Sequence, residues 1–157
     1  MEEALYAILV NTYNPDSAAR SQAESTLASC LSTPGALLSL LRLASRASFP
    51  REIRQAAAIT AKNNIRRLWK SEGPVATLSH EEKEAIKLLI LEIAIPETDN
   101  SMRSLFAEIS QNIADFDYPD SWPTLVPFLL ENAQSPEIIK MYNSLYVLRK
   151  LVKRYEL

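Results

Sequence analysis

The residues able to do covalent or metal chemistry are few. His80 is the only histidine and Cys30 the only cysteine. A hydrolase triad would need His80 as its base, yet His80 stands just inside a helix start beside Glu81 and Glu82, with no nucleophile-elbow pattern near it. A zinc site draws on clusters of cysteine, histidine or carboxylate, and one of each of the first two is too little. The two glycines, Gly35 and Gly73, cannot form a phosphate-cradling loop. Cys30 shares an apolar helical phase with Ala23 and Leu27, which predicts a small buried hydrophobe. A single cysteine forms no internal disulfide, and nothing argues for secretion. These residues argue against an enzyme and against a bound cofactor or metal.

What remains is charge on helices. The formal net charge of −2 conceals segregation. Residues 51–70 carry Arg51, Arg54, Lys62, Arg66, Arg67 and Lys70 against Glu52. Residues 79–120 carry ten acids against Lys83, Lys87 and Arg103. The C-terminal stretch turns basic again, with Lys140, Arg149, Lys150, Lys153 and Arg154. In residues 100–116, Met102, Leu105, Phe106, Ile109, Ile113 and Phe116 form an apolar stripe. Ser104, Glu108, Gln111 and Asp115 recur on the opposite face. In residues 51–70 the polar side is Gln55, Lys62, Asn63, Arg66 and Lys70, while Ala57, Ile65, Leu68 and Trp69 can pack. Polar ridges of both signs suit a protein partner, whereas a polynucleotide would want one sign along a continuous track.

The elements that carry these ridges are helices. Apolar residues make up 47% of the chain, helix-favouring types dominate, and no Asn-Gly or Asp-Gly hairpin signal occurs. Breakers give eight segments: about 2–13, 15–31, 36–45, 51–70, 79–95, 99–116, 121–132 and 136 to the end. Asn14-Pro15 reads as a cap with proline at the first helical position. Ser32-Thr33-Pro34-Gly35 is a break, Glu72-Gly73-Pro74 opens a loop, and Ser79 with Glu82 forms a capping box. Asp99 or Asn100 caps the sixth segment. Asp120 or Ser121 caps the seventh, with Trp122 and Pro123 in its first turn, Trp122 plugging a junction between hairpins and Pro127 kinking the helix. Alternate segments start every 33 to 50 residues or so, the period of helical-hairpin repeats. The expected fold is all-α: an α-solenoid of about four HEAT-type hairpins in a right-handed superhelix, with repeats near 1–32, 33–72, 79–117 and 120–157. An irregular helical bundle is the competing architecture. The N-terminal MEEALYAILV has no basic region of a signal peptide, and no apolar run reaches the ~20 residues that cross a bilayer. A soluble chain in a reducing compartment is expected.

Four stretches carry a family likeness. ARSQAESTL at 19–27, RQAAAITAKNNIRRLW at 54–69, LFAEISQNIADFDYPDSWPTLVPFLL at 105–130 and LYVLRKLVKRYE at 145–156 resemble, in order, parts of the N-terminal domain of the importin-β (karyopherin-β) superfamily. The third is the most specific, with Asp117-Tyr118-Pro119 followed by Trp122-Pro123. The Trp69 region and the last helix are most similar to the branch of larger importins.

The resemblance implies a nuclear transport receptor segment that binds GTP-loaded Ran on the concave face of its B helices and hydrolyses nothing. By matching position, Lys62 and Asn63 would face the GTPase. Arg66, Glu108, Gln111 and Asp115 join them on helical phase alone. Glu24 is equally explained as a buried or cross-helix carboxylate. The same likeness implies cargo proteins and phenylalanine-glycine nucleoporins as partners of a longer receptor, and a monomer that shuttles between cytoplasm and nucleus. It implies neither a nucleic-acid nor a membrane partner. Leu148, Leu151, Val152 and Tyr155 on the last helix suggest that the solenoid continues. A helical-repeat scaffold with a partner other than Ran is the alternative.

Overall fold

A computed structural model describes residues 1–70 and 78–156. Eight helices make up the regular structure, and no strand occurs among the described residues. They are α1 (Glu2–Asn11), α2 (Ser17–Cys30), α3 (Ala36–Ser45), α4 (Arg51–Trp69), α5 (His80–Ala94), α6 (Asn100–Asp117), α7 (Leu125–Asn132) and α8 (Ile138–Lys153). The expected loop at Glu72-Gly73-Pro74 lies outside the described residues. Contacts divide the chain into two units, Met1–Ile86 and Lys87–Leu157, with the boundary inside α5.

In the first unit, α1 packs on α2 and α3 on α4, while α1 also touches α3 and α4. The densest packing belongs to α3, whose Leu37, Leu40, Leu41 and Leu43 are all buried. Each such side chain contributes roughly 1.5–3 kcal/mol of transfer free energy. The turn before α3 needs its glycine. The Ala36 amide donates to the Thr33 carbonyl at 3.2 Å, Pro34 occupies the first central position, and Gly35 takes φ +84°, which an L side chain rarely adopts. Arg54 of α4 donates through Nε to the Ala44 carbonyl at 2.8 Å, satisfying an otherwise orphaned group at the end of α3. The Tyr6 and Phe49 rings stack at 4.9 Å, and Arg46 pairs with Glu2 at 3.0 Å. These contacts tie α1 to the α3–α4 connection. By contrast, α2 buries only Ala23. Cys30, expected in the core, is therefore half-buried, and Glu24 is exposed rather than buried.

In the second unit, α8 packs against both α6 and α7. The α6 stripe is buried from Met102 to Ile113. Phe116, expected to extend it, is instead exposed, because Asp117 takes the inward position in the last turn.

Helix starts follow capping chemistry with two corrections. The Ser79 hydroxyl accepts from the Glu82 amide at 3.1 Å, and Asp99 Oδ1 accepts from Ser101 and Met102. At α2, however, the cap is Asp16, which accepts from Ala19, while Asn14 accepts from the Asp16 amide at 2.9 Å. Pro15 lies ahead of the helix. The second correction concerns α7, which begins at Leu125 rather than near Trp122. A residue before proline is driven out of the α region. Tyr118 is accordingly extended ahead of Pro119, and the same constraint from Pro123 keeps Trp122 out of a helical turn. Pro127 is then the third residue of α7, where an amide would have no partner inside the helix, so it breaks no hydrogen bond and is no reason for a kink. Trp122 itself is buried, as expected.

Candidate partner-binding surfaces

The solvated side of α4 follows from its core side. Ile53, Ala57, Ala61, Ile65 and Leu68 are buried at helical spacing, which turns Asn63, Arg66 and Lys70 outward. Lys62 and Gln55 are half-buried at the edge of that ridge. Ile59, 38% exposed, gives the ridge an apolar centre. The Arg51 guanidinium donates to Gln55 at 3.3 Å and that of Arg67 to Asn64 at 3.0 Å. Lys62, Asn63 and Arg66 thus share one accessible surface in the first unit. The indole of Trp69 is buried, with the Lys83 ammonium 5.4 Å from its ring centroid.

The acidic ridge of α6 is less open than its polarity suggests. Glu108, Gln111 and Asp115 are all half-buried. Gln111 and Asp115 line one concavity of about 270 Å³ together with Tyr118, Leu148, Leu151 and Tyr155, whereas Glu108 does not. Arg154 forms an ion pair with Asp115 at its edge. The charge of Asp115 is thereby partly answered within its own unit.

Three polar residues that the sequence pattern did not single out organise the second unit. Lys87 is buried; its ammonium lies 3.0 Å from Asp117 Oδ2 and donates to the Ser121 carbonyl at 2.7 Å. Asn143 is fully buried and donates through Nδ2 to the carbonyls of Ala94, Ile95 and Glu97 at 3.1, 2.7 and 2.8 Å. Its Oδ1 accepts from Arg103 Nε, and the same guanidinium bonds Asn100 and stacks 4.9 Å over Tyr142. The available signal was phase: Lys87 and Asn143 both fall on the apolar side of their helices, where a polar residue needs a partner.

No group of three potential metal ligands and no helix long and apolar enough to cross a membrane occurs among the described residues. His80 is exposed at the first position of α5.

Helices that bury one face and leave the other to solvent define a class by fold, the all-helical repeat proteins. The importin-beta N-terminal domain profile matches residues 23–95. An importin beta-like SAD2 homolog of Arabidopsis thaliana is 30% identical over 144 residues, covering 91% of this chain and 13% of that relative. An importin alpha re-exporter of Saccharomyces cerevisiae is 31% identical over 120 residues, 75% of this chain and 12% of the relative. Among solved structures, the exportin Cse1 in its cargo-free, cytoplasmic state superposes with a TM-score of 0.88 at 27% identity, over 98% of this chain and 16% of the exportin. The chain belongs to the importin-β superfamily of nuclear transport receptors and shares the all-helical HEAT-type solenoid fold. It spans 12 to 16% of the length of these relatives, among which importin and exportin names both occur.

Proposed function

We propose that this chain is a Ran-binding segment of a nuclear transport receptor, holding the GTP-bound GTPase on the polar ridges of its B helices and so coupling cargo binding or release to transport. The observation that carries the reading is the ridge on α4, with Asn63 and Arg66 exposed and Lys62 half-buried at its edge, inside the stretch matched by the importin-beta N-terminal domain. Glu108, Gln111 and Asp115 of α6 are proposed as a second contact of opposite sign. Cargo and phenylalanine-glycine nucleoporins are taken to engage a longer receptor that shuttles between cytoplasm and nucleus as a monomer. The chain acts by binding, without a chemical step.

The test is titration of Ran loaded with a non-hydrolysable GTP analogue or with GDP, followed calorimetrically. Lys62→Glu/Arg66→Glu should cost about 2 kcal/mol, roughly thirtyfold in Kd, because each reversal sets a like charge against the partner. Circular dichroism controls for folding. Equal affinity for both nucleotide states, or an unaffected folded variant, would sink this assignment and favour a scaffold whose partner is not Ran.

A further inference from the structure

The cations of the second unit fall into two groups. Lys87 meets Asp117, Lys140 meets Glu137, Arg154 meets Asp115, and Arg103 meets Asn100 and Asn143. Arg149, Lys150 and Lys153 have no carboxylate in ion-pair contact among the described residues. With Tyr146 they occupy positions i, i+3, i+4 and i+7 of α8, a single stripe, and the four together line a concavity of about 240 Å³.

Such a stripe is unfavourable for the helix in isolation. Arg149 and Lys153 are like charges at i, i+4, a spacing at which repulsion destabilises a helix. The helix dipole favours cations in the last turn, which accounts for Lys150 and Lys153 being there. It does not account for three cations gathered with a tyrosine around one hollow. Anions from outside the unit would relieve the repulsion.

We infer that this face of α8 docks an acidic, partly apolar segment of a partner protein. Charge complementarity selects carboxylates. The apolar component comes from Met141, Tyr142 and Leu145, exposed earlier on the same helix, with the Tyr142 and Tyr146 rings stacked at 6.3 Å. The span from Tyr146 to Lys153 is about 10 Å at 1.5 Å per residue, enough for three or four residues of extended peptide at about 3.3 Å each. A polynucleotide would meet only three cations here and would find no continuous basic track to follow. The inference is independent of the Ran assignment, since it uses none of the residues proposed for that contact.

The probe is a short fluorescein-labelled peptide in which aspartate and glutamate alternate with leucine, with fluorescence anisotropy as the readout. Saturable binding is expected, weakening as ionic strength rises from about 0.01 M to about 0.15 M and the screening length falls from about 30 Å to about 8 Å. Arg149→Gln/Lys150→Gln/Lys153→Gln should weaken binding about tenfold, and the corresponding glutamate variant further, with circular dichroism unchanged. Lys62→Glu/Arg66→Glu should bind the peptide as the unmodified protein does. Undiminished binding by the folded glutamine variant would overturn the inference. So would a single-stranded oligonucleotide of matched charge that displaces the peptide, which would make the surface a nucleic-acid site.

Discussion

Lys87 and Asp117 form an ion pair of 3.0 Å in which the lysine side chain is 3% exposed and the aspartate 14%. The same ammonium donates to the Ser121 carbonyl, so one cation joins α5, the end of α6 and the turn that follows. Buried pairs carry a desolvation cost, and their removal is asymmetric: losing one partner strands the other. Lys87→Met should therefore destabilise by about 3 kcal/mol in urea unfolding. Adding Asp117→Asn should recover part of that loss in a double-mutant cycle. A loss below about 1 kcal/mol for the single variant would mean that solvent already screens the pair.

Asn143 should matter nearly as much. Its two amide protons are shared among three carbonyl oxygens at and just beyond the end of α5, while its oxygen receives the Arg103 guanidinium. Asn143→Leu keeps the branched shape of the side chain but strands those groups, each worth about 1–3 kcal/mol when buried unpaired. A net loss of about 3 kcal/mol is expected by chemical denaturation. A neutral result would show that water takes over the carbonyls.

Trp122 is 4% exposed. Trp122→Ala should cost about 3–5 kcal/mol, the usual penalty for emptying an aromatic site in a packed interior. Thermal unfolding followed by circular dichroism would reveal this as a lowered transition. An unchanged midpoint would mean that the ring packs against little.

Pro127 separates two accounts of α7. Proline inside a helix costs about 3 kcal/mol, so its replacement there would stabilise markedly. As the third residue of α7 it forfeits no hydrogen bond. Pro127→Ala should shift stability by less than about 1 kcal/mol, with any loss arising from the freer unfolded chain. A gain of several kcal/mol in urea unfolding would refute this placement.

Sequence alone determined the local framework. Apolar periodicity sets each helix and its buried side, as on α3 and the body of α6, because a helix repeats every 3.6 residues whatever it packs against. Ser79, Asp99 and Gly35 were legible at helix starts, since caps and turns act within a few residues. The exposed ridge of Asn63 and Arg66 followed from the same phase. Only the tertiary structure decided which polar groups enter the interior. Lys87, Arg103 and Asn143 are buried through partners that lie 30, 40 and 46 to 49 residues away in the chain, distances at which no periodicity carries information. The placing of Asp117 inward and Phe116 outward follows from one such partner. Likewise, that Asp115 meets Arg154 while Arg149, Lys150 and Lys153 meet no acid among the described residues depends on which helix ends come together, and composition is blind to that.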